Sequence, residues 1–117
     1  MRRAERIAKV EQGLLDACAQ ARRTGLTIVC EAFDVERAGR TIGVCAMGAA
    51  NWAKVDLALS SGPRLSGEYD AIEAGFDGTP WRDVKRQAGD VVLDRDFYKL
   101  GLRLRKALAP VRAGLLS

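Results

Sequence analysis

The sequence predicts an α+β fold, a small and mostly helical domain with one antiparallel β-hairpin after its first helix. Apolar residues recur at helical spacing near both ends of the chain, and a β-branched run follows the first helical segment. Glycine and proline separate several short helical segments between them. A length of 117 residues fits one globular domain with its own core, so we expect residues 1–117 to form a single domain.

The N-terminal segment, residues 3–23, has the periodicity of an amphipathic helix. Its apolar arc consists of Ile7, Val10, Leu14, Cys18 and Ala21. Gly25 follows the last predicted turn, at the place where glycine commonly adopts the positive φ that ends a helix. We therefore expect the first helix to end just before Gly25.

The next two segments predict the hairpin. Residues 26–35 and 40–45 have strand composition, and residues 36–39 supply a loop in which glycine takes a positive φ. If Val35 pairs with Arg40, then Cys30 lies opposite Cys45, although a shift of one residue removes that pairing. An open hairpin edge can also pair with a second copy of the chain, so a homo-oligomer stays among the partners to consider.

The middle of the chain predicts three short helices. Residues 48–59 are apolar nearly all round, as expected of a buried helix. Ser66 is a candidate N-cap for the second of these helices, and Thr79 is a candidate N-cap for the third. Pro80 suits the first position of that third helix, because its missing N–H would have no partner there anyway.

The last predicted helix is amphipathic, with apolar residues on one side and basic residues on the other. Asp94 or Asp96 caps its start, and it ends near Ala109. One arc of the helix is apolar and contains Phe97, Leu100, Gly101, Leu104, Leu108 and Val111. The other side carries four cations, which we call the basic stripe: Arg95, Lys99, Arg103 and Lys106.

Composition excludes several classes of function. The chain has no histidine, which removes histidine-based nucleophile pairs, histidine acid–base catalysis and most zinc sites. Its three cysteines, Cys18, Cys30 and Cys45, lack the spacing of metal-binding pairs and are odd in number. We therefore expect no metal, no cofactor and no disulfide framework.

Hydropathy indicates where the protein resides. No apolar run approaches the ~20 residues that cross a bilayer. The N-terminus is basic but leads into an amphipathic pattern rather than the apolar stretch of a secretory signal. We expect a cytoplasmic protein with no membrane partner.

A thiol could support chemistry where the second predicted strand meets the next helix. Residues 43–52 place Cys45 among small residues at a helix start, and a helix N-terminus lowers the pKa of a thiol. The same small residues suit a tight core, in which free cysteine is commonly buried. Because the chain has no histidine to act as base, a thiol enzyme at Cys45, or a redox pair with Cys30, ranks third among the hypotheses. We expect a protein with no catalytic residue.

A helix-turn-helix-like DNA-binding segment is the second hypothesis. Residues 69–88 have suitable lengths for two helices joined by a short turn. Only one of the five positions that such motifs keep apolar has an apolar residue, and the surrounding segment is acidic, opposite to what phosphate contacts need.

The preferred hypothesis is a non-catalytic interaction module that uses the basic stripe. Residues 97–117 contain five basic and no acidic side chains, which is more than a solvated helix face requires. Arg105 and Arg112 extend the stripe in sequence. The partner that this pattern indicates is an acidic protein or a nucleic acid.

Short motifs add a resemblance. Cys45-Ala46-Met47-Gly48-Ala49 opens a helix after an extended segment, and residues 75–78 and 97–101 follow as Gly-Phe-Asp-Gly and Phe-Tyr-Lys-Leu-Gly. With these short motifs, and over roughly half of the chain, the sequence resembles small uncharacterised domains encoded by bacteria and their phages. The resemblance implies a phage-type accessory or regulatory protein and assigns no activity or site residue.

Overall fold

The computed structural model describes residues 2–59, 67–88 and 94–116. Within these ranges the chain has five α-helices and a four-stranded sheet, so the predicted α+β class is confirmed, including a hairpin after the first helix. The chain divides into two compact units. Unit 1 contains Met1–Leu57 and Leu108–Ser117, and unit 2 contains Ala58–Ala107.

Unit 1 contains the sheet. Its elements are α1 (Arg3–Arg23), β1 (Thr27–Cys30), β2 (Asp34–Arg37), β3 (Arg40–Val44), α2 (Ala46–Trp52), β4 (Val111–Arg112) and a 3₁₀ turn over Ala113–Leu115. The strand order is β2-β3-β1-β4. Strand β1 runs parallel to both β3 and β4, while β2 runs antiparallel to β3. Helix α1 contacts β1, and α2 contacts β1 and β3, so the two helices cover the central strands.

Helix α1 has the bounds that its periodicity predicts. Four of the five residues of the predicted arc are buried and Ile7 is half-buried. Gly25 has φ +93°, and its N–H donates to the Arg22 carbonyl at 3.0 Å while the Leu26 N–H donates to the Ala21 carbonyl at 3.0 Å. These two bonds satisfy carbonyls that would otherwise lack partners at the helix end.

The hairpin differs from the prediction in its pairing. Glu31 has φ +70°, which interrupts the extended run that we expected over residues 26–35 and separates β1 from β2. Val35 pairs with Gly43 rather than Arg40, and β3 lies between β2 and β1. Because β1 and β3 are parallel, the antiparallel alignment that placed Cys30 opposite Cys45 is wrong.

The turn of the hairpin is also tighter than the predicted loop. Ala38 and Gly39 have φ of 53° and 76°, and Arg37 pairs with Arg40 on either side of them. Two consecutive residues with positive φ match the twist of the flanking strands.

Helix α2 is shorter than the predicted helix over residues 48–59. It ends at Trp52 because Lys54 adopts a left-handed conformation with φ +59°. The Lys54 N–H donates to the Asn51 carbonyl at 3.1 Å, and the Val55 N–H donates to the Ala50 carbonyl at 2.9 Å. This is the same type of helix end as that of α1, with lysine in the position that glycine usually occupies.

Unit 2 is helical in its described part. Its elements are α3 (Gly67–Asp77), α4 (Trp81–Ala88) and α5 (Arg95–Leu108). Asp94 is the N-cap of α5, because its Oδ1 accepts hydrogen bonds from the Asp96 N–H at 2.9 Å and the Phe97 N–H at 3.2 Å. The predicted cap at Ser66 lies outside the described residues.

Two glycines bring the backbones of α3 and α5 into contact. A Cβ at Gly75 would meet the Tyr98 carbonyl oxygen and the Leu102 nitrogen, and a Cβ at Gly101 would meet the Ile72 carbonyl oxygen. Most of the predicted α5 arc is fully buried there, whereas Val111 belongs to β4 and is exposed. The crossing therefore fixes which side of α5 faces the core.

Candidate polyanion-binding surface

Helix α5 separates its apolar and basic residues onto opposite sides. Phe97, Leu100 and Leu104 have no exposed surface. The four side chains of the basic stripe are all exposed. Their spacing of four, four and three residues keeps them on one side of the helix over about 16 Å. Leu102, which is 38% exposed, lies beside them. The predicted stripe is thus a continuous positive face on a helix held by the core.

Contacts at the start of α5 position the first member of the basic stripe. The Arg95 guanidinium carbon lies over the Trp81 ring, 5.5 Å from its centroid. The Trp81 ring in turn packs against Tyr98, with centroids 4.9 Å apart and planes tilted by 53°. The Tyr98 hydroxyl donates to the Thr79 carbonyl at 2.6 Å. Arg95 therefore rests on an aromatic ring that is itself anchored to α5.

Helix α4 adds exposed cations that the sequence placed in the helix-turn-helix-like segment but did not join to the basic stripe. Arg82 and Lys85 are exposed, and Lys85 lies one helical turn beyond Trp81 on the same side of α4. Arg86 is also exposed but forms an ion pair with Asp83 at 2.7 Å. The i, i+4 spacing of Trp81 and Lys85 indicates that both lie on one side of α4. The contact between Trp81 and Arg95 depends on how α4 packs against α5, so the sequence pattern does not show it.

The two residues expected to extend the basic stripe lie elsewhere. Arg105 is half-buried, and its Nη1 donates to the Phe76 carbonyl at 2.9 Å while its guanidinium covers Gly78. Arg112 lies in unit 1, where its Nε pairs with the Glu31 carboxylate at 3.2 Å. Arg105 therefore secures the C-terminal end of α3, and Arg112 joins β4 to the residue after β1.

The acidic residues of unit 2 concentrate on α3. Asp70, Glu73 and Asp77 follow one another at three- and four-residue spacing, and α3 has no basic residue. Burial raises the pKa of the Glu73 carboxyl, and the negative charges of Asp77 and Asp70 raise it further. Burial also raises the pKa of Asp70. Acidic side chains thus predominate on α3, whereas on α5 the cations outnumber its one acidic residue, Asp96.

The thiols are buried in unit 1. Cys45 is 5% exposed and is the N-cap of α2, with its Sγ accepting the Gly48 N–H at 3.2 Å. A Cβ at Gly48 would lie 2.5 Å from the Phe33 carbonyl oxygen, so small residues at this junction allow close packing. Burial, and to a lesser extent the electrostatic interaction with Cys45, raises the pKa of the Cys18 thiol to about 12. The junction is a packing joint, and a thiol reaction there stays a prediction.

The segment of the helix-turn-helix hypothesis consists of α3 and α4. Gly78, with φ +77°, ends α3, and its N–H donates to the Gly75 carbonyl at 3.1 Å. Val84 is buried, as the pattern predicts. Most acidic residues of this segment belong to α3, whereas α4 has one, Asp83, and exposes three cations.

Neither a metal-ligand cluster nor a membrane-spanning helix occurs among the described residues. Across residues 2–59, 67–88 and 94–116, no group of three or more acidic or cysteine side chains could hold a metal ion. Among the helices in those ranges, none has the length and apolar character needed to cross a bilayer. No family model, no curated protein and no solved structure matches the chain.

Proposed function

We propose that this protein is a non-catalytic interaction module that binds an anionic macromolecule, an acidic protein or a nucleic acid, through the basic stripe of α5. One observation carries the proposal: the stripe lies opposite the fully buried side of the same helix. The core thus holds the four cations in a fixed row, and a partner would not have to order the backbone that presents them. Fixed, like charges along one face favour association with a surface of opposite charge.

Charge reversal within the basic stripe tests the proposal. The double variant Lys99→Glu, Lys106→Glu changes two exposed stripe residues. Its matched control is Lys9→Glu, Lys54→Glu, which makes the same change of net charge at exposed lysines of unit 1. Fluorescence anisotropy with labelled duplex DNA and labelled poly-L-glutamate measures binding, and circular dichroism verifies that both variants are folded.

The expected result is that wild type binds at least one polyanion and that added salt weakens this binding. The stripe variant should lose binding by at least about tenfold, because two attractions become repulsions. The control should bind nearly as wild type does. Binding of neither polyanion, or equal losses in the two double variants, would overturn the proposal.

A second candidate, supported by the exposed Arg82 and Lys85, is DNA binding in which α4 enters the major groove as the second helix of the α3–α4 pair. Base contacts would then make affinity depend on DNA sequence. A selection from random duplexes tests this candidate, since enrichment of one sequence supports it and no enrichment opposes it.

A further inference from the structure

We infer that the partner is double-stranded DNA, held through its backbone phosphates by cations of both α4 and α5. This inference rests on the proposed function and names its ligand. The surface consists of the basic stripe together with two residues of α4, and we call it the α4–α5 basic surface: Arg82, Lys85, Arg95, Lys99, Arg103 and Lys106. All six side chains are exposed.

The contact between Trp81 and Arg95 joins the cations of the two helices into one surface. Arg95 begins the stripe on α5, and it lies over the ring from which α4 begins. Lys85 is one turn along from that ring. Positive charge therefore extends in two directions from Arg95, which suits an extended anion better than a single carboxylate.

Arg95 also has the geometry that phosphate recognition uses. The cation–π contact with Trp81 restricts the orientations that the Arg95 side chain would otherwise lose on binding. Arginine can donate two parallel hydrogen bonds to one phosphate. We expect Arg95 to contribute more to affinity than the other cations of the surface for this reason.

The neutral residues of unit 2 argue against an acidic protein and against a nucleic acid single strand as the partner. Protein interfaces usually have an apolar or aromatic centre, but Leu102 is the one large apolar side chain exposed in the described part of unit 2. Binding of single strands commonly relies on aromatic side chains on which bases stack. Each aromatic residue described in unit 2 is buried or half-buried. Duplex phosphates require neither feature.

The test compares wild type with variants of Arg95 on four labelled ligands: two short duplexes of unrelated sequence, a single strand and poly-L-glutamate. Phosphate contacts carry no sequence information, so both duplexes should bind within about threefold of each other and more tightly than the other ligands. With six phosphate contacts, the slope of log affinity against log salt should be about −5.

Variants then test the role of Arg95. Arg95→Gln should make the salt slope shallower by about one, because one phosphate contact is lost. Arg95→Lys should keep the slope but weaken duplex binding about three- to tenfold, because the charge remains while the guanidinium contact with Trp81 and the bidentate geometry are lost. Lys9→Gln is the control and should change neither quantity.

Each other outcome overturns the inference in a different way. If poly-L-glutamate binds and duplex DNA does not, the proposed function stands and the partner assignment fails. If the single strand binds more tightly than either duplex, the assignment to duplex DNA also fails. A preference of more than about tenfold for one duplex would favour base reading by α4 instead. If no ligand binds, both the inference and the proposed function fail.

Discussion

The two units use their positive side chains in different ways. In unit 1, Arg22 donates to the Leu108 carbonyl at 2.6 Å, Arg37 donates to the Leu116 carbonyl, and Arg112 pairs with Glu31. In unit 2, Arg105 has such a role, whereas the basic stripe is displayed on the exposed side of its helix. The difference teaches that cations of equal charge have different structural settings. Some bind backbone carbonyls or a carboxylate of the same unit, whereas the basic stripe forms the exposed side of a helix.

Geometry explains why the two patterns arise. A carbonyl near the end of a helix or chain has no intrahelical partner, and a long arginine side chain that reaches it satisfies an acceptor that would otherwise need water. The stripe runs along the exposed side of α5 from its first residue to its last turn, opposite the buried arc. Along most of that length the backbone carbonyls already accept hydrogen bonds within the helix.

The largest effect is expected from a substitution that disturbs the packing of α3 against the buried side of α5. Gly75→Ala would place a methyl group against the Tyr98 carbonyl and the Leu102 nitrogen of α5, so the two backbones must separate. We expect a loss of about 3 kcal/mol in the free energy of unfolding, which exceeds the roughly 1 kcal/mol that alanine gains over glycine in a helix. Denaturant unfolding measures the loss, and polyanion binding should fall with it.

Gly114→Ala provides the control for this substitution. A Cβ at Gly114 meets no atom within 4 Å. Stability there should change by less than about 0.5 kcal/mol. Full polyanion binding by an unfolded or strongly destabilised Gly75→Ala variant would show that the rigid presentation of the stripe is irrelevant.

Local signals in the sequence predict much of the fold. The 3.6-residue period predicts α1 and the buried side of α5, and Asp94 was one of two candidate caps. The sequence does not predict the end of α2 at Trp52 or the break between β1 and β2. Lys54 and Glu31 cause these two features, because both adopt a positive φ without the glycine that marks such positions. Strand β4 has two residues, which are too few to form a recognisable local pattern. Its partner β1 lies far away in the sequence, so nothing near β4 indicates the pairing.

The candidate surface was predictable only in part. Helical spacing alone places the basic stripe on one side of α5. Arg105 follows the same charge pattern, but it borders the buried arc, and a carbonyl of α3 lies within reach. Neither that contact nor the stacking of Arg95 on Trp81 can be read from spacing, because each depends on how helices pack.

Substitutions of two adjacent residues of α5 should have effects of intermediate size and should sharpen the comparison. Arg105→Gln should lower the free energy of unfolding by about 1 kcal/mol, since it removes a charged donor from the Phe76 carbonyl. Lys106→Gln should leave stability within about 0.5 kcal/mol of wild type and make the salt slope of polyanion binding shallower by about one. Denaturant unfolding and anisotropy titrations measure the two effects.

These neighbours should therefore separate stability from binding. If Arg105→Gln weakens polyanion binding as much as Lys106→Gln does while leaving stability unchanged, then Arg105 belongs to the surface, and the distinction between structural and displayed cations fails. Arg105→Lys is a useful companion, because it keeps the charge but loses the planar donor geometry of the guanidinium.

The smallest expected effect concerns the acidic side of unit 2. The Glu73 carboxyl is half-buried between Asp70 and Asp77 along α3, and its pKa lies above its ordinary value of 4.5. The folded protein therefore binds more protons than the unfolded chain at pH values just above 4.5, so the free energy of unfolding falls as the pH rises through that window.

Glu73→Gln removes this charge and should stabilise the protein by about 0.5 kcal/mol at about pH 7, because burial disfavours the charged carboxylate and Asp77 and Asp70 repel it. The gain should disappear on acidification below the ordinary pKa of 4.5, where the wild-type carboxyl is protonated in both states. Glu5→Gln is the control, because Glu5 pairs with Arg2 and should show a small loss instead. A gain that is the same at both pH values would mean that packing of the amide, rather than removal of charge, stabilises α3.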